Sequence, residues 1–118
     1  MTDNVNLTPA SNYKLNFPFA PEEWSESDAI RQAHDEDIIL SPAHWELIQA
    51  LQEYFAKHAL TKVNIRELHD ALEEDFHMYG GMKYLYILFP GGPVAQGGRF
   101  AGLQVPSGTV DKSFGSVQ

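Results

Sequence analysis

Trp45, Ile48, Leu51 and Phe55 recur three or four residues apart, with Leu47 beside them, in a stretch that has no glycine and no proline after Pro42. This is the helical period, and it lays one apolar stripe along a helix that other elements must then cover. Ser41 offers an N-cap oxygen, and Pro42 suits the first helical position, where no N–H is needed and φ is already set. The spacing predicts a helix from Pro42 to His58, and the rest of the chain has to pack around it.

The flanking segments carry helical signals as well. Ser25, with Asp28 three residues on, has the form of a capping box and predicts a helix to about Ala33, preceded by one helical turn at Pro21 to Trp24. Asn64 with Glu67 offers another N-terminal cap, and Ile65, Leu68, Leu72 and Phe76 keep the helical spacing until Gly80 and Gly81 stop it. Ile38 to Leu40 reads as a short extended link. Lys83 to Phe89 is apolar or aromatic at nearly every position, so periodicity alone allows a buried helix or a buried strand. Pro90-Gly91-Gly92-Pro93 is a turn. Val94 to Leu103 is a last helix, weakened by Gly97 and Gly98 at about 1 kcal/mol each relative to alanine. Near the N-terminus Tyr13, Leu15, Phe17 and Phe19 alternate with Lys14, Asn16 and Pro18, the period of a short edge strand, where proline is tolerated.

With 118 residues, 43% of them hydrophobic, the chain can enclose one core and is too short for a second. The organisation expected is a flexible polar tail over 1–12, a helical domain over 13–103 and an arm over 104–118 that carries glycine, serine and proline without a period. Sixteen acidic residues against eight basic ones give a net charge of −8, which repels nucleic-acid phosphates and anionic membrane surfaces. No apolar run approaches the roughly 20 residues of a membrane span, and Met1 to Asn16 has neither the basic start nor the apolar stretch of a secretion signal. A cytoplasmic location follows as the expectation. The chain contains no cysteine. Disulfides, thiolate metal ligation, thiol nucleophiles and persulfides are excluded together, because each needs a cysteine sulfur.

The string Lys83-Tyr84-Leu85-Tyr86-Ile87-Leu88-Phe89-Pro90-Gly91-Gly92-Pro93, followed by Gln96 and Arg99-Phe100-Ala101-Gly102-Leu103, resembles the signature of the DsrC/TusE sulfur-relay family. Leu40-Ser41-Pro42-Ala43-His44-Trp45, leading to Leu51-Gln52-Glu53-Tyr54-Phe55, is similar to that family's Leu-Thr-x-x-His-Trp helix, and Trp24 stands where a family tryptophan is expected. The resemblance spans about residues 13–110. It implies a mainly α fold, a small orthogonal helical bundle with a short N-terminal β-hairpin or strand and a flexible C-terminal arm, and it makes Lys83 to Phe89 a helix. In the family a cysteine near the end of the arm carries a persulfide into a partner, dissimilatory sulfite reductase for DsrC or the TusBCD complex for TusE. Many DsrC proteins add a second cysteine in the last helix. Aligning the arm puts the essential cysteine at Thr109 and the second at Gly98, so both thiols are missing. The chain also continues from Asp111 to Gln118 where the family's arm normally stops, and it reads Glu73-Glu74-Asp75 where members tend to be rich in lysine.

A threonine hydroxyl ionises far above neutral pH and forms no persulfide, and no histidine flanks Thr109 as a base, so Thr109 is read as an arm residue and not as a nucleophile. His69, Glu73 and His77 lie four apart on one helical face, as metal ligation would require. The stronger reading of that face is a solvated one, and no metal or other cofactor is expected. Helices 42–58 and 64–78 could form a helix-turn-helix, which makes a DNA-binding regulator the alternative. Its second helix, however, sets Arg66 against Glu67, Asp70, Glu73, Glu74 and Asp75, a balance of −4 where a recognition helix needs cations. His44 and His58 are assigned to packing and capping, and Trp24 and Trp45 to the core.

The expected function is that of a non-catalytic binder: a cysteine-less relative that keeps the family's docking surface and engages a protein of sulfur metabolism, as a regulator or competitor of a true carrier. The residues expected to touch that partner are Arg99, Gly102, Leu103, Pro106, Gly108 and Thr109, the glycines and proline shaping the arm. For Arg99 an exposed helix charge is an equal alternative to a partner or fold contact.

Overall fold

The structure, a computed structural model, describes residues 16–58 and 64–104. Five α-helices follow one another among them: α1 (Glu26–Glu36), α2 (Pro42–Lys57), α3 (Ile65–Asp75), α4 (Gly81–Leu88) and α5 (Ala95–Ala101), with a 3₁₀ turn at His77–Tyr79. No strand occurs among the described residues, in keeping with the mainly helical fold expected. Tyr13 and Leu15 of the expected strand lie outside them. Phe17 to Phe19, the other end of that pattern, form a turn closed by the Ala20 N–H on Phe17 O at 3.1 Å. Phe17 is drawn inward edge-on to Trp24 and Trp45, at 5.1 and 5.7 Å between ring centres, while Phe19 stays exposed. Trp24 is buried as expected and Trp45 is only partly covered.

Helix α1 starts where the capping box predicts, with Asp28 Oδ2 accepting the Ser25 N–H at 3.0 Å. It runs three residues past Ala33 and closes on Asp37, which takes the left-handed conformation at φ 58° while the Ile38 N–H returns to Ala33 O at 2.9 Å. At the start of α2, His44 takes the role that glutamate has in a capping box. The Ser41 N–H donates to His44 Nδ1 at 3.0 Å, which places the ring proton on Nε2, and Nε2–H donates to Leu88 O at 2.8 Å. One imidazole thereby ties the first turn of α2 to the last turn of α4. Burial holds the His44 pKa below the ordinary imidazole value, outweighing the opposite pull of its bond to Leu88.

Asn64 Oδ1 accepts the Glu67 N–H at 3.0 Å and opens α3. The helix ends at Asp75, three residues before the expected end, where the chain tightens into the 3₁₀ turn, and Glu73 in its last turn reaches the next element. Its Oε1 accepts the Met82 N–H at 2.9 Å and caps the N-terminus of α4. Gly81 sits under that carboxylate at φ 64°, and a Cβ there would collide with both of its oxygens.

Helix α5 packs against α1 and α2, and α3 packs against α4 and the 3₁₀ turn. The shared core is formed by Leu47, Ile48 and Leu51 of α2, Leu68 and Leu72 of α3, Leu85 of α4, and Phe89, Val94 and Phe100. Gly97 and Gly98 do not prevent α5 from forming, although it is shorter than Val94 to Leu103. Both glycines are buried, and a Cβ on Gly97 would stand 3.0 Å from Leu51 Cδ1. The missing side chain lets α5 settle closely onto α2, and that burial offsets the weak helix propensity.

Candidate functional site

The C-terminal end of α5 lies just before the last described residues, Leu103 and Gln104. A helix end leaves carbonyls without helical partners, and here two side chains from elsewhere supply donors. Trp24 Nε1–H donates to Phe100 O at 2.8 Å, and Gln52 Nε2–H donates to Ala101 O at 3.0 Å. Gly102 then turns left-handed at φ 77°, and the Leu103 N–H closes on Gly98 O at 2.9 Å. A Cβ at Gly102 would come within 2.7 Å of Trp24 Cδ1, so both backbone angle and space call for glycine. These contacts fix the backbone at Gly102 and Leu103.

The start and outer face of α5 are held by Glu36 at the end of α1. Its carboxylate accepts from Gln96 Nε2 at 2.6 Å, from Arg99 Nη2 at 3.0 Å and Nε at 3.3 Å, and from Gln32 Nε2. Gln96 carries the connection onward, its Oε1 accepting the Gly91 N–H at 2.7 Å within the Pro-Gly-Gly-Pro turn. Partial burial raises the Glu36 pKa, but the bonds from Arg99, Gln96 and Gln32 and the Arg99 charge outweigh it and hold the carboxyl below its ordinary value. Beside this network lies a shallow depression of about 300 Å³, bordered by Pro21, Trp24, Gln32, Arg99 and Gly102, with Arg31 and its partner Asp28 at the rim.

Of the expected arm contacts, Arg99, Gly102 and Leu103 fall together at this end of α5, while Pro106, Gly108 and Thr109 lie outside the described residues. Arg99 makes a fold contact, the ion pair with Glu36. Gly98, expected at the position of the second family thiol, is buried inside α5. The weak metal candidates separate: His69 is buried, whereas Glu73 and His77 are exposed, with Glu73 Oε2 3.9 Å from His77 Nδ1 and Oε1 engaged by Met82. Among the described residues no three histidine, aspartate or glutamate side chains are placed to hold a metal ion. Helix α3, which the DNA-binding alternative would lay in a groove, exposes Glu67, Asp70, Glu73, Glu74 and Asp75 beside Arg66, a surface that repels phosphate. His44 and His58 do cap and pack, His58 Nδ1 meeting Tyr54 O at 2.8 Å and its ring stacking on Tyr54.

Sequence reasoning gave no individual role to Glu36, Gln96 or Gln52. A faint signal existed for Glu36, since a carboxylate in the last turn of a helix opposes the macrodipole and asks for a compensating partner. Nothing local pointed to Gln52, whose donor reaches 49 residues along the chain while its Oε1 is buried without a partner among the described residues.

The cap, the turn and the last helix that build this end of α5 are the segments on which the resemblance rested. The family model described as DsrC like protein matches residues 6–110. This chain belongs to the DsrC-like family. Among curated proteins it is similar to Sulfurtransferase TusE of Escherichia coli strain K12, 39% identical over 85 residues that cover 71% of this chain and 77% of the relative. It is 40% identical to Sulfurtransferase TusE of Shigella dysenteriae over the same shares of each chain. With Sulfurtransferase TusE of Photorhabdus laumondii the identity is 36% over 100 residues, 84% of this chain and 86% of the relative. No solved structure matches this DsrC-like chain at a significant level. Among its described residues no helix is long and apolar enough to cross a membrane.

Proposed function

We propose that this DsrC-like chain is a thiol-free binding protein of sulfur metabolism, which occupies a partner of the sulfur relay without transferring sulfur and so regulates or competes with a true carrier. The observation that carries the reading is the absence of any cysteine from the 118 residues of a chain that keeps the family's body. Persulfide transfer needs a thiolate nucleophile, and neither Gly98 nor Thr109 supplies one.

The architecture at the arm's exit supports retained docking. Trp24, Gln52, Glu36, Gln96 and Arg99 commit their polar groups to holding α5 and the Gly102 turn, and a preorganised exit reduces the entropy lost when an arm binds. Residues 104–118 are then the segment that enters the partner. The experiment is a pull-down with the tagged chain, a Thr109→Cys copy and a truncation after Leu103, using a lysate that contains sulfur-relay and sulfite-reductase proteins. The expected result is the same sulfur-metabolism proteins on the first two baits and none on the third. Recovery by the Thr109→Cys copy alone would show that partnership was lost with the thiol.

A further inference from the structure

We propose that the groove beneath the end of α3 is a docking surface for a partner-protein segment that combines lysine or arginine with an apolar side chain. The inference rests on the reading of this chain as a protein-binding member of its family and names the chemistry of one partner surface. The groove is open, with a volume of about 510 Å³, and is lined by Asp70, Glu73, Glu74, His77 and Met78. Met78 is 91% exposed, and the neighbouring Tyr79 is 60% exposed. A thioether so far out of the core contributes nothing to folding by burial, and methionine adapts its shape to whatever apolar surface covers it.

The turn that presents Met78 is well held. Phe76 anchors it in the core, the Tyr79 N–H closes on Phe76 O at 3.0 Å, and the Gly80 N–H closes on His77 O at 3.1 Å. Glu73 pins its far side through the Met82 N–H. Met78 is therefore displayed on a fixed turn, which lowers the ordering needed on binding.

Charge selects the occupant. Among the described residues three carboxylates line the groove, and no lysine or arginine does. A second copy of a chain with net charge −8 would oppose this rim, and so would a nucleic acid. A segment with cations flanking an apolar side chain gains on both counts: opposite potentials speed its encounter, and covering Met78 slows its departure.

The test is a titration of the ¹⁵N-labelled full chain with the synthetic peptide acetyl-Lys-Leu-Lys-Lys-Leu-Lys-amide, followed by amide shifts. Two further peptides replace the lysines by glutamate or the leucines by glycine. The expected result is saturable shifts centred on Asp70 to Met78 for the first peptide, no binding of the glutamate peptide, and about tenfold weaker binding of the glycine peptide. Met78→Ala and Glu74→Lys should each weaken the first peptide about tenfold, with the remaining spectrum unchanged to show an intact fold. Shifts centred on another acidic face would overturn the proposal. So would equal binding of the glycine peptide, or an unaltered affinity in Met78→Ala, since either means diffuse attraction only. The truncation after Leu103 keeps the groove, so loss of the arm's partner and loss of the peptide are read separately.

Discussion

Removing the Glu36 carboxylate separates the polar contacts that support the fold from the one that lies mainly in water. In Glu36→Ala, Gln96 Nε2 loses its acceptor at a residue only 6% exposed, Gln32 loses one as well, and Arg99 loses two contacts. A neutral hydrogen bond contributes about 1 kcal/mol net, and a buried donor left unpaired costs about 1–3 kcal/mol. The Arg99 pair adds less than about 1 kcal/mol, because the arginine side chain is 53% exposed and water screens it. Glu36→Ala is therefore expected to lose about 2–3 kcal/mol, and Arg99→Ala about 0.5 kcal/mol. At about 4 °C per kcal/mol for a domain near this size, the midpoints should fall by about 10 °C and about 2 °C. Urea unfolding followed by the fluorescence of Trp24 and Trp45, backed by thermal scans, measures both, and an unchanged m value confirms that the same surface is exposed. If Arg99→Ala proved as destabilising as Glu36→Ala, the exposed ion pair would be the main support of α5, and the reasoning from the buried amide contacts would be refuted.

Three further outcomes are expected. Gly102→Ala should cost at least about 2 kcal/mol, from the left-handed backbone together with a Cβ driven to 2.7 Å from Trp24 Cδ1, and a loss below about 1 kcal/mol in thermal unfolding would show that the turn relaxes freely. Trp24→Phe removes the Nε1–H donor and leaves Phe100 O unpaired, an expected loss of about 1–3 kcal/mol that calorimetry would read. Stability should fall on acidification in two stages. His44, with its folded pKa depressed below 6.5, is neutral in both states above that pH, and the unfolded chain takes up the proton first as pH drops. Glu36, also depressed, contributes stability above its unfolded value of 4.5 that is lost as pH falls through the folded value. Urea midpoints between pH 7.5 and 3 test both, and an early decline that persists unchanged in His44→Gln would rule His44 out as its source.

The helices were legible where a local pattern causes them. The capping box at Ser25, the N-cap at Asn64, the Pro42 start and the stripe from Trp45 to Phe55 each act within a turn or two of the chain, and all three helices begin where those signals put them. Their ends were less legible. Helix α1 outlasts Ala33 and closes on the left-handed Asp37, and α3 stops short of Met78 where the chain tightens into the 3₁₀ turn. The helical state of Lys83 to Phe89 could not be decided from its own periodicity, since a segment apolar on all sides suits a buried helix or strand equally.

The sequence by itself determined the absence of cysteine from these residues, the acidic character of α3, the family, and the assignment of His44 to a capping role, since composition and short-range spacing are properties of the chain before it folds. Only the tertiary structure decided that Arg99 is engaged with Glu36, that Gln52 and Trp24 close the end of α5, and that Met78 stands exposed over an acidic groove. Each joins residues whose meeting depends on how helices pack, and a hydrogen bond across 76 residues, as from Trp24 to Phe100, leaves no periodic trace in the sequence.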